Sequence, residues 1–306
     1  MKISEIGEHG LIARIRERAS HAPSWVHIGI GDDAAVIEPA RGELDVVTTD
    51  CQIEDVHFSR AAMSMREIGA KALAVNLSDL AAMAASPRSS TLSLALPDHL
   101  DLAAFDELID GFLALARSAR VTLVGGNISR SPGPIVIDVT LIGSARRRRI
   151  LTRSGAGAGH QLYVTGALGG AAAQLPKYQL DEERTIRLMA LSREVAANRV
   201  ASACMDLSDG LADAVSQMAT ASGTGAIVLS SKVPVDPIAT LEHALRGGED
   251  YELLFAVPPR RRRGFEKIAG RLAAVTCIGE MTTDRAVKLD EIPLGGGFAH
   301  FAAPPK

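Results

Sequence analysis

The amino-acid sequence predicts an α/β protein, in the broad sense that includes α+β, with two domains covering residues 1–148 and 149–306. The chain of 306 residues is about twice the length of a common domain. Segments with the apolar period of strands alternate with segments of helical period in both halves. Between the halves, the stretch SARRRRILTRSGAGAG is first basic and then glycine-rich, which is typical of a connection between domains.

In the first half, short aliphatic and β-branched runs predict strands, and apolar residues at helical spacing predict helices. The longest helix is expected over 65–85, where alanine and leucine predominate. The spacing of Leu102, Phe105, Leu108 and Phe112 predicts a second helix. Strands are expected over 44–49, 91–96, 121–124 and 135–142.

The same alternation continues in the second half of the chain. Strands are expected over 162–165, 226–229, 251–257 and 275–278. Helices are expected over about 183–200, 209–222, 236–246 and 260–272.

Composition and charge exclude several classes of function. The net charge of −3 gives no general electrostatic basis for binding nucleic acid, and aromatic residues at 4% argue against a base-stacking surface. No apolar stretch is long enough to span a membrane, and the N-terminus MKISEIGEHG lacks the apolar core of a signal peptide, so a cytoplasmic protein is expected. Cys51, Cys204 and Cys277 are far apart in sequence, which favours small buried side chains over a zinc site or disulfides.

Carboxylates recur at turns and strand ends rather than along exposed helix faces. Asp32 and Asp33 lie in GIGDDAAVI, Asp50 in TTDCQIEDVHF, Asp79 in KALAVNLSDLAAM, Asp206 and Asp209 in MDLSDGLADAV, and Glu249 and Asp250 in GGEDYELLF. For each motif alone a structural role stays open, because aspartate before a helix is most often an N-cap and Gly-Asp-Asp is most often a turn.

Asp79 differs from the others because it is set among apolar residues on a helix expected to pack on most sides. A buried carboxylate needs a polar partner or a metal ion. Two carboxylates about 4 Å apart repel by roughly 4 kcal/mol at an effective dielectric constant of about 20, so several that converge require cations. Mg²⁺ suits such oxygen ligands and completes its shell with water and substrate phosphate. The acidic motifs therefore predict a magnesium site that holds the phosphates of a nucleotide.

The phosphate-binding segment is a separate question, because no G-x-x-x-x-G-K-[ST] motif occurs. The dinucleotide-binding pattern formally present in GIGDDA is rejected, since Asp32 and Asp33 would repel a pyrophosphate and no suitable helix follows. Gly125 and Gly126, expected directly after a strand, are candidates for close backbone approach. Arg153 can offer a charge-assisted fork to phosphate.

Two further residues are open between structural and functional roles. His57, at the end of TTDCQIEDVHF, is equally consistent with local hydrogen bonding and with a substrate contact. Phe298 follows three glycines in a protein with few aromatics, and a core anchor is the commoner role for such a ring. No G-x-S-x-G or comparable nucleophile motif is present, so covalent catalysis is not indicated.

Seven motifs occur in one order along the chain: GIGDDAAV, TTD, KALAVNLSDLAAM, LTRSGA, DLSDGL, GGEDYEL and CIGEM. In this order and approximate spacing they resemble the thiamine-monophosphate kinases. That family belongs to the ATP-binding superfamily of aminoimidazole ribonucleotide synthetase, selenophosphate synthetase and the hydrogenase maturation protein E. The resemblance runs from about Gly29 to Phe301, nearly the whole chain.

The resemblance implies a set of site residues for ATP, Mg²⁺ and thiamine monophosphate. It also implies an N-terminal domain with a mixed sheet whose strands pair with a second subunit in a dimeric barrel, a C-terminal α/β domain, and an active site in the cleft between them. The implied magnesium ligands are Asp33, Thr48, Thr49, Asp50, Asp79, Asp206 and Asp209, and the implied nucleotide contacts are Gly126, Asn127, Arg153 and Ser208. The implied substrate contacts are His57, Glu249 and Phe298, and the residues expected to be catalytic are Asp79, Asp206 and Arg153.

Four departures from the family pattern fall near these residues. The family's Gly-Gly-Asp-Thr is GGNI here, so Asn127 replaces one expected magnesium carboxylate. Asp55 occupies a usual glycine position, and Ala158 and His160 occupy usual proline and aspartate positions. The segment 170–202 is shorter and lacks a Pro-Arg signature.

The resemblance leads to one preferred function and two alternatives. The preferred one is ATP-dependent transfer of the γ-phosphoryl group to thiamine monophosphate, which needs no general base because a phosphate acceptor is already ionised. The first alternative is a related kinase for another small phosphorylated or alcohol acceptor. The second is a catalytically weakened nucleotide-binding protein.

Overall fold

The computed structural model describes residues 1–19, 22–174 and 181–296. The chain divides into two compact units, and neither unit is a single continuous segment of the sequence. The first unit contains Met1–Leu80, Ala85–Arg148 and a short segment ending at Ile186. The second contains Ala81–Ala84 and most of the chain from Arg149 onward.

The first unit is built on a four-stranded mixed sheet. Its elements are helix α1 (Ile3–Arg18), strands β1 (Val26–Ile28), β2 (Val36–Ile37) and β3 (Leu44–Ile53), helix α2 (Met65–Ala82), strand β4 (Ser86–Leu96), helix α3 (Leu102–Ala119), and strands β5 (Thr122–Arg130) and β6 (Val136–Ala145). The sheet order is β3-β6-β4-β5, with β4 and β5 parallel and the other pairs antiparallel. The predicted mixed sheet is therefore confirmed, and β1 and β2 form a separate small pair.

Helices α2 and α3 cross closely because glycines lie at their contact. A Cβ at Gly69 would lie 2.0 Å from the carbonyl oxygen of Leu108, and one at Gly111 would lie 1.9 Å from that of Arg66. Residues 70–78 of α2 are all buried. The expectation of a helix packed on most sides is confirmed, and this helix carries Asp79.

The second unit contains a seven-stranded sheet with helices. Its elements are β7 (Gln161–Thr165), α4 (Gly170–Gln174), α5 (Glu182–Asn198), β8 (Ala203–Asp206), α6 (Leu211–Ser222), β9 (Gly225–Val228), α7 (Leu241–Arg246), β10 (Leu253–Val257), α8 (Arg262–Ala269), β11 (Val275–Thr282), β12 (Val287–Leu289) and β13 (Ile292–Pro293). The order is β13-β12-β9-β11-β7-β10-β8, and only the β12–β9 pair is parallel. Its core joins α6 to the inner strands through Leu211, Val215, Met218, Val164 and Leu254.

Several element boundaries differ from the sequence predictions for identifiable reasons. The helix expected from 209 begins at Leu211, because Gly210 has a φ of 93°. The helix expected from 236 begins at Leu241, where Thr240 accepts a hydrogen bond from the His243 main-chain N–H. The short strands β1, β2, β8, β12 and β13 and the helices α1 and α4 were outside the predicted set, since short or weakly amphipathic segments carry little periodic signal.

Among the described residues, no helix combines the length and the apolar character that a membrane span requires. The expectation that all three cysteines are buried is confirmed for Cys204 alone, because Cys51 is exposed on β3 and Cys277 is half-buried.

Candidate active site

In the first unit, Asp79 on α2 is paired with a threonine of the sheet. Its carboxylate accepts a hydrogen bond from the Thr48 hydroxyl on β3. The side chain keeps some exposure although the helix around it is buried. The prediction that this carboxylate requires a polar partner is thus confirmed, and the carboxylate and the hydroxyl form a compact set of oxygen ligands.

The alternation of β3 separates the threonines and aspartate of the TTD motif onto two faces. Thr48 and Asp50 are half-buried and share one face, because side chains two apart point the same way. Thr49 is exposed on the opposite face, where its hydroxyl donates to Asp138 at 3.4 Å. The Thr49 side chain is therefore on the other face from Asp79, and the structure does not bring its hydroxyl together with the Thr48 hydroxyl and the Asp79 carboxylate.

The thiol of Cys51, the residue that follows this motif, lies near two carboxylates. The pKa of its thiol is raised, first by partial burial and then by the negative charges of Asp138 and Asp50. Both carboxylates therefore lie close enough to the Cys51 thiol to disfavour its ionised form.

Asp33 lies in an exposed loop before β2. Its main-chain N–H donates to the Asp32 carboxylate at 2.8 Å, and Gly31 has a φ of 113°, which favours glycine. No helix follows the motif, so the rejection of a dinucleotide-binding turn agrees with the structure.

Gly126 and Asn127 lie within β5 and not in a loop after a strand, so the predicted strand end at 124 is wrong. The ladder between β4 and β5 shifts its register between Ser90 and Thr91, and a Cβ at Gly126 would lie 1.9 Å from the carbonyl oxygen of Leu92. The close approach seen at Gly126 is to the neighbouring strand, and its predicted approach to a phosphate stays a prediction. Asn127 is exposed on this edge strand.

His57 is held in a tight loop after β3. Its Nδ1 accepts from the Ile53 main-chain N–H at 3.0 Å, and its own carbonyl accepts from the Lys71 ammonium at 2.6 Å. Asp55 in this loop has a φ of 62°. Aspartate tolerates that conformation better than most residues, so the glycine-to-aspartate departure fits without a change of backbone.

In the second unit, the DLSDG and GGEDYE motifs lie side by side. Asp206 ends β8 and is only 3% exposed, so its carboxylate is a buried charge. The Glu249 main-chain N–H donates to the Ser208 carbonyl at 2.7 Å, and the Tyr251 main-chain N–H donates to Leu207. The residues expected to contact nucleotide and substrate are thus adjacent here.

This pair of segments is also where the backbone is strained. Glu249 has a φ of 62° and Tyr251 a φ of 48°. Positive φ values of this size are uncommon in residues other than glycine. At Gly248, a Cβ would lie 2.7 Å from the Ser208 carbonyl oxygen. Because strained residues persist where the surroundings fix them, the position of Glu249 is well determined.

Two buried acids beside these segments were not assigned to the site by sequence reasoning, which noted Asp250 only as part of its motif and left out Glu252. Asp250 accepts from the Gly169 main-chain N–H at 2.7 Å, and Glu252 accepts from the Thr165 hydroxyl. Both carboxylates are about as buried as Asp206. The signal available was their place in one acidic run directly before a wholly apolar strand.

Arg153 is exposed in the loop before β7, and its guanidinium donates to the Gln217 side chain on α6. The loop is fixed by Gly155, where a Cβ would lie 2.6 Å from the Ser202 carbonyl oxygen. His160 closes the loop: its Nδ1 accepts from the Gly157 main-chain N–H at 3.0 Å and lies 2.8 Å from the Ser202 hydroxyl. Burial lowers the pKa of His160.

The donor set of each unit is suited to magnesium. Among residues 1–19, 22–174 and 181–296, no three His, Cys, Asp or Glu side chains are already gathered as a metal site. Mg²⁺ does not need such a cage, since it usually takes one or two carboxylates and fills its shell with water and phosphate. Asp79 with Thr48, and Asp206 at a strand end, offer that number of hard oxygen ligands. Phe298 lies outside the described residues.

The two units correspond to two known domain families. The family model for the AIR synthase related protein N-terminal domain matches residues 31–145, and that for the C-terminal domain of the same proteins matches 150–291. Fold and sequence together define a protein of the AIR synthase related class.

Relatives that match over nearly the full length of the chain identify its family within this class. The chain is 34% identical to the thiamine-monophosphate kinase of Synechococcus elongatus, over 98% of both chains. It is 34% identical to the crystal structure of thiamine-monophosphate kinase from Stenotrophomonas maltophilia K279a, over 92% of this chain and 96% of that one, with a TM-score of 0.80. A structure described as AaThiL complexed with AMPPCP and TMP matches at 30% identity over 98% and 99% of the chains, with a TM-score of 0.73. The chain belongs to the thiamine-monophosphate kinase family.

Proposed function

We propose that the protein transfers the γ-phosphoryl group of ATP to the phosphate of thiamine monophosphate, giving thiamine diphosphate. The observation that carries this proposal is the match over 98% of the chain to a structure complexed with AMPPCP, an ATP analogue, and TMP. A match of this extent spans both units.

The protein's task in this reaction is to align two polyanions. The attacking oxygen belongs to a phosphate that is already ionised near neutral pH, so no general base is required, and rate is gained from alignment and charge stabilisation. Arg153 offers guanidinium donors to phosphate oxygens. His57 and Glu249, each held by main-chain contacts, are assigned to the acceptor.

Magnesium belongs to the proposal as the screening cation. Asp33, Asp50 and Asp79, with the Thr48 hydroxyl, would hold it in the first unit, and Asp206 and Asp209 in the second. When bound, the ion would neutralise phosphate charge. The carboxylates themselves order these segments: the Asp79 carboxylate anchors α2 to β3 through Thr48.

A homodimer is the proposed assembly, with the β3 edge of the sheet at the interface. β3 is an edge strand of ten residues, and unprotected edges of that length promote pairing with another chain. Val47 on one side of this strand is 62% exposed, and Leu44 on the opposite side is 38% exposed. A second subunit would cover these apolar side chains.

A related kinase with another acceptor remains the second candidate, and Asn127 is the observation that favours it. The residue lies exposed on β5, where an amide supplies an oxygen ligand without the charge of a carboxylate. The Asp55 departure no longer supports this candidate, because the backbone there already has the conformation typical of glycine.

Direct assay of thiamine diphosphate formation from ATP and thiamine monophosphate tests the function. Asp79→Asn and Asp206→Asn should abolish turnover while the protein stays folded, and Asp98→Asn, an exposed aspartate paired with Arg130, serves as the matched control. Wild-type rates in either active-site variant at ordinary magnesium would contradict the metal assignment. ADP release with another phosphorylated acceptor, and none with thiamine monophosphate, would favour the second candidate.

A further inference from the structure

Arg153 is the end of a three-residue hydrogen-bond chain. Its Nη1 donates to Oε1 of Gln217, and Nε2 of Gln217 donates to Oδ2 of Asp213. The amide of Gln217 is therefore fixed in orientation, because its nitrogen faces a carboxylate and its oxygen faces a guanidinium. Neither Asp213 nor Gln217 was among the residues expected at the site.

Helix α6 provides the frame for this chain. Asp213 and Gln217 are four residues apart, so their side chains are neighbours on one helix face. The same helix holds the main chain of the arginine loop through Ser222, whose hydroxyl donates to the Arg153 carbonyl at 3.3 Å and accepts from the Ala156 N–H at 3.1 Å. Helix α6 starts directly after the DLSDG motif, and its Ser222 contacts the LTRSGA motif. The helix therefore connects the two motifs.

The partner of Arg153 is neutral, and this has an electrostatic consequence. In the described part of the second unit, other arginines form ion pairs with glutamates: Arg246 with Glu242, Arg262 with Glu266 and Arg271 with Glu194. Among the described residues Arg153 forms no such ion pair, and the carboxylate of Asp213 is one side chain further away. An amide acceptor orders the guanidinium without cancelling its charge, so its remaining donors keep their affinity for an anion.

We propose that Gln217, oriented by Asp213, is a positioning residue that holds Arg153 ready for the polyphosphate of the nucleotide. This inference rests on the proposed function for the identity of the anion. Without Gln217 the long arginine side chain would have to be ordered during binding, a cost of about three- to tenfold in affinity. With glutamate at this position the arginine would be neutralised, and the new carboxylate would face Asp213.

Binding of AMPPCP, measured by calorimetry on the full-length protein with magnesium, tests the proposal. Gln217→Ala and Gln217→Glu should each raise the dissociation constant about three- to tenfold. Ser216→Ala on the same helix, where the hydroxyl donates to the Ala212 carbonyl of its own helix, should leave the dissociation constant unchanged. Thermal unfolding of each variant verifies that the fold is intact.

A double-variant cycle separates positioning from a general structural role. If Gln217 acts through Arg153, then Arg153→Ala and the Arg153→Ala/Gln217→Ala pair should bind AMPPCP equally weakly. Additive losses, or unchanged affinity in Gln217→Ala, would overturn the proposal. Wild-type protein that does not bind AMPPCP would overturn it as well, whereas AMPPCP binding without thiamine diphosphate formation would overturn only the proposed acceptor.

Discussion

The ammonium of Lys71, on a wholly buried turn of α2, donates a 2.6 Å hydrogen bond to the main-chain carbonyl of His57. Lys71 is 3% exposed, and a buried charge is tolerated only where polar groups compensate it. The contact joins the most deeply packed helix of the first unit to the loop assigned to the acceptor. It ties the loop to a side chain outside that loop.

Lys71→Met should weaken the acceptor site more than the nucleotide site. Methionine has a similar length, but it leaves the His57 carbonyl without this donor, a loss of about 1–3 kcal/mol for a buried group. We expect the KM for thiamine monophosphate to rise and the KM for ATP to change little, as measured by steady-state kinetics. Lys2→Met, which removes an exposed ion pair with Asp101, is the control. An unchanged KM for the acceptor in folded Lys71→Met would show that the loop is held by its other contacts.

Replacing each of two adjacent glycines on β5 by alanine should change the stability to very different extents. The Cβ of Gly126→Ala would lie 1.9 Å from the Leu92 carbonyl oxygen, so the strands must move apart, at a cost of about 1–3 kcal/mol or more. The Cβ of Gly125→Ala would lie 3.9 Å from the Thr91 methyl group, an ordinary van der Waals distance. Urea denaturation should show a clear loss of stability for the first variant and almost none for the second. Equal midpoints would mean that β4 and β5 are less tightly paired than described.

The stability of the second unit should depend on pH through His160. Burial lowers the pKa of this imidazole below its ordinary value of 6.5, so the unfolded chain takes up the proton more readily than the folded one. The contribution is therefore present above pH 6.5 and is lost as the pH falls through the lowered pKa. Protonation of Nδ1 would also remove the bond from the Gly157 N–H.

Comparison of wild type with His160→Gln by urea unfolding at several pH values isolates this effect, since the other titrating groups are common to both. The stability difference should shrink in acid. A difference that is constant with pH would exclude His160 as its source.

Asn127→Asp should strengthen magnesium-dependent activity if the residue faces the metal site. The added carboxylate supplies the charge that the family pattern has at this position, and the side chain is exposed, so the fold should tolerate it. A large gain in the rate of thiamine diphosphate formation would indicate a weakened thiamine-monophosphate kinase. No gain with that acceptor, with good activity on another, would indicate a kinase of different specificity.

Val47→Asp should convert a dimer into monomers. The side chain is 62% exposed on the edge strand β3, and a carboxylate there would have to be desolvated in an interface. Light scattering coupled to size-exclusion chromatography should show half the mass of the wild type. Ile292→Asp, at a position 71% exposed in the second unit, should not change the mass. A dimer that survives Val47→Asp would place the interface elsewhere.

Local patterns in the sequence were sufficient for much of the fold. The helix carrying Asp79, the strand carrying the TTD motif and the apolar strand after GGEDYE were all predicted, because each has a strong period or a continuous apolar run. The isolated carboxylate on an apolar helix also indicated correctly that Asp79 needs a partner. The order of motifs was enough to identify the family.

Contacts between segments distant in sequence were decided only by the tertiary structure. The sequence does not distinguish Thr48 from Thr49. The orientation of β3 relative to α2 determines which of the two hydroxyls reaches Asp79. Gly126 is required by the register of β4 and β5, a property of the pair of strands. Lys71 and Gln217 belong to helices, and the apolar periodicity of a helix does not predict which loop its polar side chains contact. Sequence periodicity records which face of an element is buried, whereas the partner of a polar group depends on packing between elements.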